Sequence, residues 1–138
     1  MSAAIANLQA AQRAAMANRQ VVQGFPHLAE TLRRAGVHTN TWELPAMQSR
    51  YDTDLGAVVV QGEPLIDGMS DVAPFDRVAL IAALRADQAG ETTFADFAAA
   101  AWRAGVISYV VDLDNRTCTY VGLGGETYVE DYPAVELA

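Results

Sequence analysis

The chain has 138 residues, 51% of them apolar, and a formal charge of −8 from seventeen acids against nine bases. That length suits one compact domain, and no apolar run approaches the ~20 residues of a bilayer-spanning helix. A negative surface repels phosphate backbones, which disfavours nucleic-acid binding.

The charge is uneven. Residues 1–69 hold five Arg against six acids, net −1, and residues 70–138 hold four Arg against eleven acids, net −7. Every base is Arg and Lys is absent, which with the abundance of Ala points to a GC-rich bacterial genome. The single cysteine, Cys118, rules out an internal disulfide, and a reducing cytoplasm is the default setting.

The first predicted element is a helix over 5–22, IANLQAAQRAAMANRQVV. It lacks a continuous apolar core and reads as an amphipathic helix instead of a secretory signal. A second helix starts around Gly24 and Pro26, with Pro tolerated in the first turn, and stops at Arg34-Ala35-Gly36-Val37. Glycine suits the left-handed position just past a helix. HTNTWEL, MQSRYDT and GAVVVQ then read as strands. The turn at Pro45-Ala46 has poor hairpin chemistry, so this first hairpin is expected to be looser or longer than a two-residue turn. GEPLIDGMSD (62–71) reads as a short hinge.

The second half repeats the order. A helix is predicted over 72–88, starting near Asp71 with Pro74 in its first turn and ending at Gly90. In FADFAAAAWRAGV (94–106), Phe94, Phe97, Ala98, Ala101 and Trp102 form an apolar stripe at helical spacing. Thr93 and Asp96 have the spacing of a capping box, with Asp in place of Glu. After the same Arg-Ala-Gly-Val stop the period becomes two. Ile107, Tyr109, Val111 and Leu113 share one face, and Ser108, Val110 and Asp112 the other. Asp114-Asn115 makes a two-residue turn into RTCTYVG, and GLGG (122–125) a second turn into ETYVED.

Sliding the chain against itself by 69 residues aligns 25–65 with 94–134 without a gap and gives 11 identities in 41 positions. They include Phe25/Phe94, Gly36/Gly105, Leu44/Leu113, Tyr51/Tyr120, Gly56/Gly125 and Val60/Val129. This is an internal duplication. The expected fold is α+β: one domain, 1–138, of two helix-helix-strand-strand units (1–65 and 70–134). Their mainly antiparallel sheet packs against the helices about a pseudo-two-fold axis.

The stretch AGVISYVVDLDNRTCTYVGLGGETY, with its Tyr109, Val111-Asp112, Tyr120 and Gly125, resembles the C-terminal part of the YbcV-like family. These are uncharacterised bacterial proteins of about this length, sometimes labelled phage envelope protein. The resemblance covers residues 90–130. It implies an α+β fold and no activity.

Recognisable catalytic and cofactor motifs are missing. GLGG precedes a strand, not a helix, so it is a hairpin turn and not a phosphate loop. DLDN begins like a calcium loop, but Thr117 and Leu123 stand where Gly and Glu are required. His27 and His38 have no thiol or acidic spacing motif, so no metal is expected. Cys118, mid-strand, reads as a buried structural thiol.

What remains are polar-tipped groups on the strands. Asp112, Glu43, Tyr51, Tyr120 and His38 are the candidate ligand-binding residues, in a groove between the repeats. Asp112 is favoured over Tyr109, because Tyr109 shares its face with the apolar residues. The function expected is a non-catalytic binding or interaction module in the cytoplasm. Its partner would be a small molecule or a protein, with no cofactor, nucleic acid or membrane, and a homodimer stays open. The alternative is a small enzyme using Asp112 or Glu43 as acid/base with a tyrosine hydroxyl beside it.

Overall fold

The computed structural model describes residues 2–17 and 24–137. Among these, α1 (Ala3–Ala17) and α2 (Phe25–Arg34) lead into β1 (Val37–Glu43), β2 (Gln48–Thr53) and β3 (Gly56–Gln61). The same order then recurs as α3 (Arg77–Gln88), α4 (Phe94–Arg103), β4 (Val106–Asp112), β5 (Thr117–Gly122) and β6 (Thr127–Asp131). The strands make one antiparallel sheet in the order β3-β2-β1-β4-β5-β6. The fold is α+β, as the periodicities predict.

The repeat is visible in the boundaries. Adding 69 to both ends of α2, β1 and β2 gives both ends of α4, β4 and β5. The two units join edge to edge through β1 and β4, where Thr41 pairs with Val110, its own repeat equivalent. Around that pair the contacts exchange symmetrically. Thr39 pairs with Asp112 and Glu43 with Ser108. Leu44 N–H donates to Ile107 O at 2.8 Å and Leu113 N–H to His38 O at 2.9 Å. A pseudo-two-fold axis therefore passes through the Thr41–Val110 pair, normal to the sheet.

Side chains alternate across the sheet, so each strand has a covered and an open face. Tyr51, Val58, Tyr109, Val111, Cys118 and Tyr120 are buried against the helices, with Leu8, Ala29, Leu32, Leu80, Leu84, Phe97 and Ala101 packed over them. Arg50, Val59 and Val129 lie exposed on the open face. A bulge follows Val37 and another follows Val106, at equivalent positions. The extra residue turns Val106, which is wholly buried, onto the core side in the place expected for Ile107, which is only half-buried.

Two helix starts differ from expectation. α1 begins at Ala3, and the predicted residues 18–22 lie outside the described ones. α3 begins at Arg77, not near Asp71, because the Asp76 side chain caps it by accepting from Ala79 N–H at 3.0 Å. Pro74 thus precedes the helix. The first helices also fall outside the 69-residue offset, since buried Leu8 corresponds to exposed Arg77. The Thr93–Asp96 capping box forms as predicted, with both hydrogen bonds in place.

The two hairpins of β1–β2 and β4–β5 have equal four-residue turns, 44–47 and 113–116. The first is longer than two residues, as expected, but so is the second, where the sequence predicts a two-residue turn at Asp114-Asn115; Met47 (φ 56°) and Arg116 (φ 55°) take the same left-handed conformation in both. The outer hairpins are unequal. Tyr51 pairs with Val58, but Tyr120 pairs with Tyr128, one residue beyond the repeat equivalent. Since a one-residue slip reverses a strand's faces, Val60 and Val129 point to opposite sides of the sheet although the alignment matches them. Glu130 consequently joins the helix-covered face, where its repeat equivalent Gln61 lies on the open one.

Gly36 (φ 90°) and Gly105 (φ 86°) both occupy the left-handed region just past their helices. Their surroundings differ. A Cβ on Gly36 would meet the movable Asp54 carboxylate at 2.9 Å, whereas one on Gly105 would meet Pro74 O at 2.5 Å and the Phe75 backbone at 2.7 Å. Gly36→Ala is accordingly expected to cost roughly 1–2 kcal/mol in chemical denaturation. Gly105→Ala should cost on the order of 3 kcal/mol or more, because a backbone clash adds to the strain. Equal losses at the two sites would show that the 74–75 segment is not held against Gly105.

Candidate functional site

Between the sheet and the helices lies a cavity of about 420 Å³. Its floor crosses the pseudo-two-fold axis, with Asn40, Trp42 and Tyr51 from the first unit and Tyr109, Val111, Cys118 and Tyr120 from the second. All four helices contribute to the roof, through Gln12, Leu28, Leu32, Leu84, Asp87, Phe94 and Phe97 among others. Phe25, Leu28 and Phe94, only partly covered, mark where it opens. Phe25 and Phe94 are repeat equivalents and stand at the first positions of α2 and α4.

The walls are predominantly aromatic. Phe94 packs on Trp42 with ring centroids 4.8 Å apart, Trp42 faces Tyr109 at 6.2 Å, and Tyr109 packs on Tyr120 at 5.1 Å. Asn40 fixes this array: its Oδ1 accepts from Trp42 Nε1–H at 2.7 Å and its Nδ2 donates to Arg50 O at 3.2 Å. The buried amide is satisfied and sets the orientation of the indole.

Burial dominates the electrostatics. It pushes the hydroxyls of Tyr51, Tyr109 and Tyr120 above the ordinary phenol value, so they stay protonated. The Cys118 thiol is pushed up to about 12 by the same cause. Glu130 is opposed by burial but held below the usual carboxylate value by bonds from Arg85, Tyr128 and Gln88. Arg85 Nη2 lies 3.2 Å and Gln88 Nε2 2.7 Å from its carboxylate. Asp87 differs. It lies in the last turn of α3, is half-buried, and has its carboxyl raised by burial. No hydrogen bond or ion pair to its side chain is made among the described residues.

The five residues expected from sequence separate into two groups. Tyr51 and Tyr120 line the cavity. Asp112, Glu43 and His38 do not. Asp112 is engaged in the β4–β5 turn, its Oδ1 accepting from Asn115 N–H at 3.1 Å and its Oδ2 from Asn115 Nδ2 at 2.8 Å. The Asn115 side chain holds its carboxyl below the usual value. Glu43 is exposed at the end of β1. Tyr109, set aside because it shares the core face, lies on the cavity floor. Core face and cavity face are the same surface. Asp87 has no signal in LRADQ, because which side of the last helical turn meets a cavity depends on how α3 sits on the sheet. Among the described residues no three His, Cys, Asp or Glu are grouped to hold a metal, and no helix is long and apolar enough to cross a membrane.

A duplicated α+β unit enclosing an aromatic cavity thus defines the class of protein. The family described as "Protein of unknown function (DUF1398)" matches residues 12–131, and the chain belongs to it. It is similar to the Uncharacterized protein Rv2012 of Mycobacterium tuberculosis (strain ATCC 25618 / H37Rv) and the Uncharacterized protein Mb2035 of Mycobacterium bovis. Each is 71% identical over 136 residues, covering 99% of this chain and 83% of the relative.

His38 joins the units instead of lining the site. Its Nε2 lies 2.6 Å from Asp54 Oδ1 in the first unit and its Nδ1 2.8 Å from Asp114 Oδ2 in the second. Two carboxylates require both ring N–H groups, which only the imidazolium has. The bond to Asp54, then that to Asp114, raises its pKa. The sign follows: stabilisation is complete below the unfolded value of about 6.5 and fades as pH rises through the higher folded value. An NMR titration should place the His38 midpoint above about 6.5, and Asp54→Asn with Asp114→Asn should return it there. An unshifted wild-type midpoint would exclude the bridge in solution.

The thiol gives a second check. With an aromatic disulfide reagent, native Cys118 should react slowly, and its rate should keep rising past the ordinary thiol value of about 8.5. Denatured protein should react fast. A native rate that levels near that ordinary value would mean an exposed, ordinary thiol.

Proposed function

We propose that the protein is a small-molecule binding module and that its ligand, predominantly apolar, occupies the cavity over the Trp42–Tyr109–Tyr120 floor. The observation that carries this reading is the cavity itself. It holds about 420 Å³ within a core that otherwise buries its apolar side chains, and that is within the range of ligand sites. Protonated tyrosine hydroxyls at Tyr51, Tyr109 and Tyr120 supply hydrogen-bond donors that could orient a guest. In this reading Tyr51 and Tyr120 belong to the site, and Asp112, Glu43 and His38 serve the fold. The likeness of residues 90–130 to the YbcV-like family stays part of the reading, and it brings no activity with it.

One observation favours the enzyme alternative. Asp87 and Tyr109 both line the cavity, which puts a carboxyl and a phenol in one cleft. Yet burial keeps the tyrosines and Cys118 protonated, so these groups suit hydrogen bonding better than nucleophilic or base chemistry.

The test uses N-phenylnaphthylamine, a neutral fluorophore, with Val111→Phe. The wild-type protein should bind the dye saturably and transfer energy to it from Trp42. In the variant the new ring fills the floor, so dye uptake should be lost while the melting temperature holds or rises. Overpacking a filled core typically costs about 1–3 kcal/mol, so a fall in melting temperature with no dye uptake by either protein would sink the reading.

A further inference from the structure

We propose that the cavity's ligand carries a positively charged nitrogen, placed against Asp87: a small protonated amine with an apolar or aromatic body. This rests on the cavity reading above and adds the charge of its occupant. Three independent observations support it.

The charges on the wall have one sign. Among the described lining residues, the ionised groups are Asp87, Glu130 and Asp131, with no Arg. Glu130 is already neutralised by Arg85 and Asp131 is exposed, so neither needs a partner from a ligand. Asp87 has none. It also lies in the C-terminal turn of α3, where the helix dipole adds negative potential and disfavours an anion further. A cation placed at that point would compensate a half-buried carboxylate that its surroundings disfavour.

The second observation is the aromatic floor. Faces of Trp, Tyr and Phe rings carry negative electrostatic potential and attract ammonium groups within about 6 Å. Trp42, Phe94, Tyr109 and Tyr120 form a contiguous array of such rings. The third is that Asp87 and this array line one and the same cavity. An ammonium there would contact a carboxylate and aromatic rings together, while its apolar body fills the rest of the space.

The experiment is calorimetric titration with three probes of one shape: phenethylamine, phenethyl alcohol and phenylacetate. The wild-type protein should prefer the amine to the alcohol by roughly ten- to hundred-fold, as expected for a hydrogen-bonded charge pair, and the acid should bind most weakly. Asp87→Asn should remove that preference while alcohol binding changes by no more than about threefold. Asp71→Asn, an equal change of net charge at an exposed site outside the cavity, should keep it. Melting curves verify that each variant is folded. Equal affinities for amine and alcohol in wild type, or an amine preference that survives Asp87→Asn, would overturn the inference and leave the cavity reading standing. Failure of all three probes together with the neutral dye would remove both.

Discussion

The antiparallel pairing of β1 with β4 is the contact on which the rest of the molecule depends. Each unit alone is a three-stranded sheet with one apolar face and two helices, and its innermost strand would be an unprotected edge. Pairing that edge with its own repeat satisfies both rows of backbone groups at once. Because Thr41 meets Val110, the strand order is fixed as mirror halves of a six-stranded sheet, and the covered faces of both units become continuous. Only then do Tyr51 and Tyr120 share one floor.

That continuity creates a packing problem which the chain leaves unsolved. Helices α1 and α2 cover one half of the sheet, α3 and α4 the other, and over the axis the two pairs do not close. Large aromatic side chains from the strands occupy part of the gap. Protein interiors otherwise pack as densely as organic crystals, and every void forfeits dispersion contacts along its lining. The low-dielectric surroundings have a second effect: they keep the tyrosine hydroxyls and Cys118 protonated and leave Asp87 as the group least suited to its place.

Much of the architecture could be read from the sequence, because it is encoded locally. The Arg-Ala-Gly-Val stops, the Thr93–Asp96 box and the alternation of β4 each depend on residues within a few positions of one another. The helix at 72–88 was harder, because Asp76 competes with Asp71 for the cap and only the folded chain decides between them. The candidate site was legible in part. Tyr51 and Tyr120 are repeat equivalents on buried strand positions, and the repeat brings them together. Asp112 resembled a ligand contact because it is a carboxylate on the polar face, but a carboxylate three residues before Asn115 is already engaged by a turn. Asp87 was hidden because its environment is made by residues as distant in sequence as Trp42 and Tyr120.

The unequal outer hairpins bear on how a guest would sit. In a chamber with true two-fold symmetry, any unsymmetrical molecule has two poses of identical free energy and is held in both. Pairing β6 with β5 one residue out of the register of β3 with β2 puts Glu130 on the chamber side at one end, where Gln61 turns away at the other. With Asn40 opposed by Tyr109 across the axis, the two ends are chemically distinct. The degeneracy is lifted by a one-residue shift of register, and a molecule with a head and a tail is left one preferred direction.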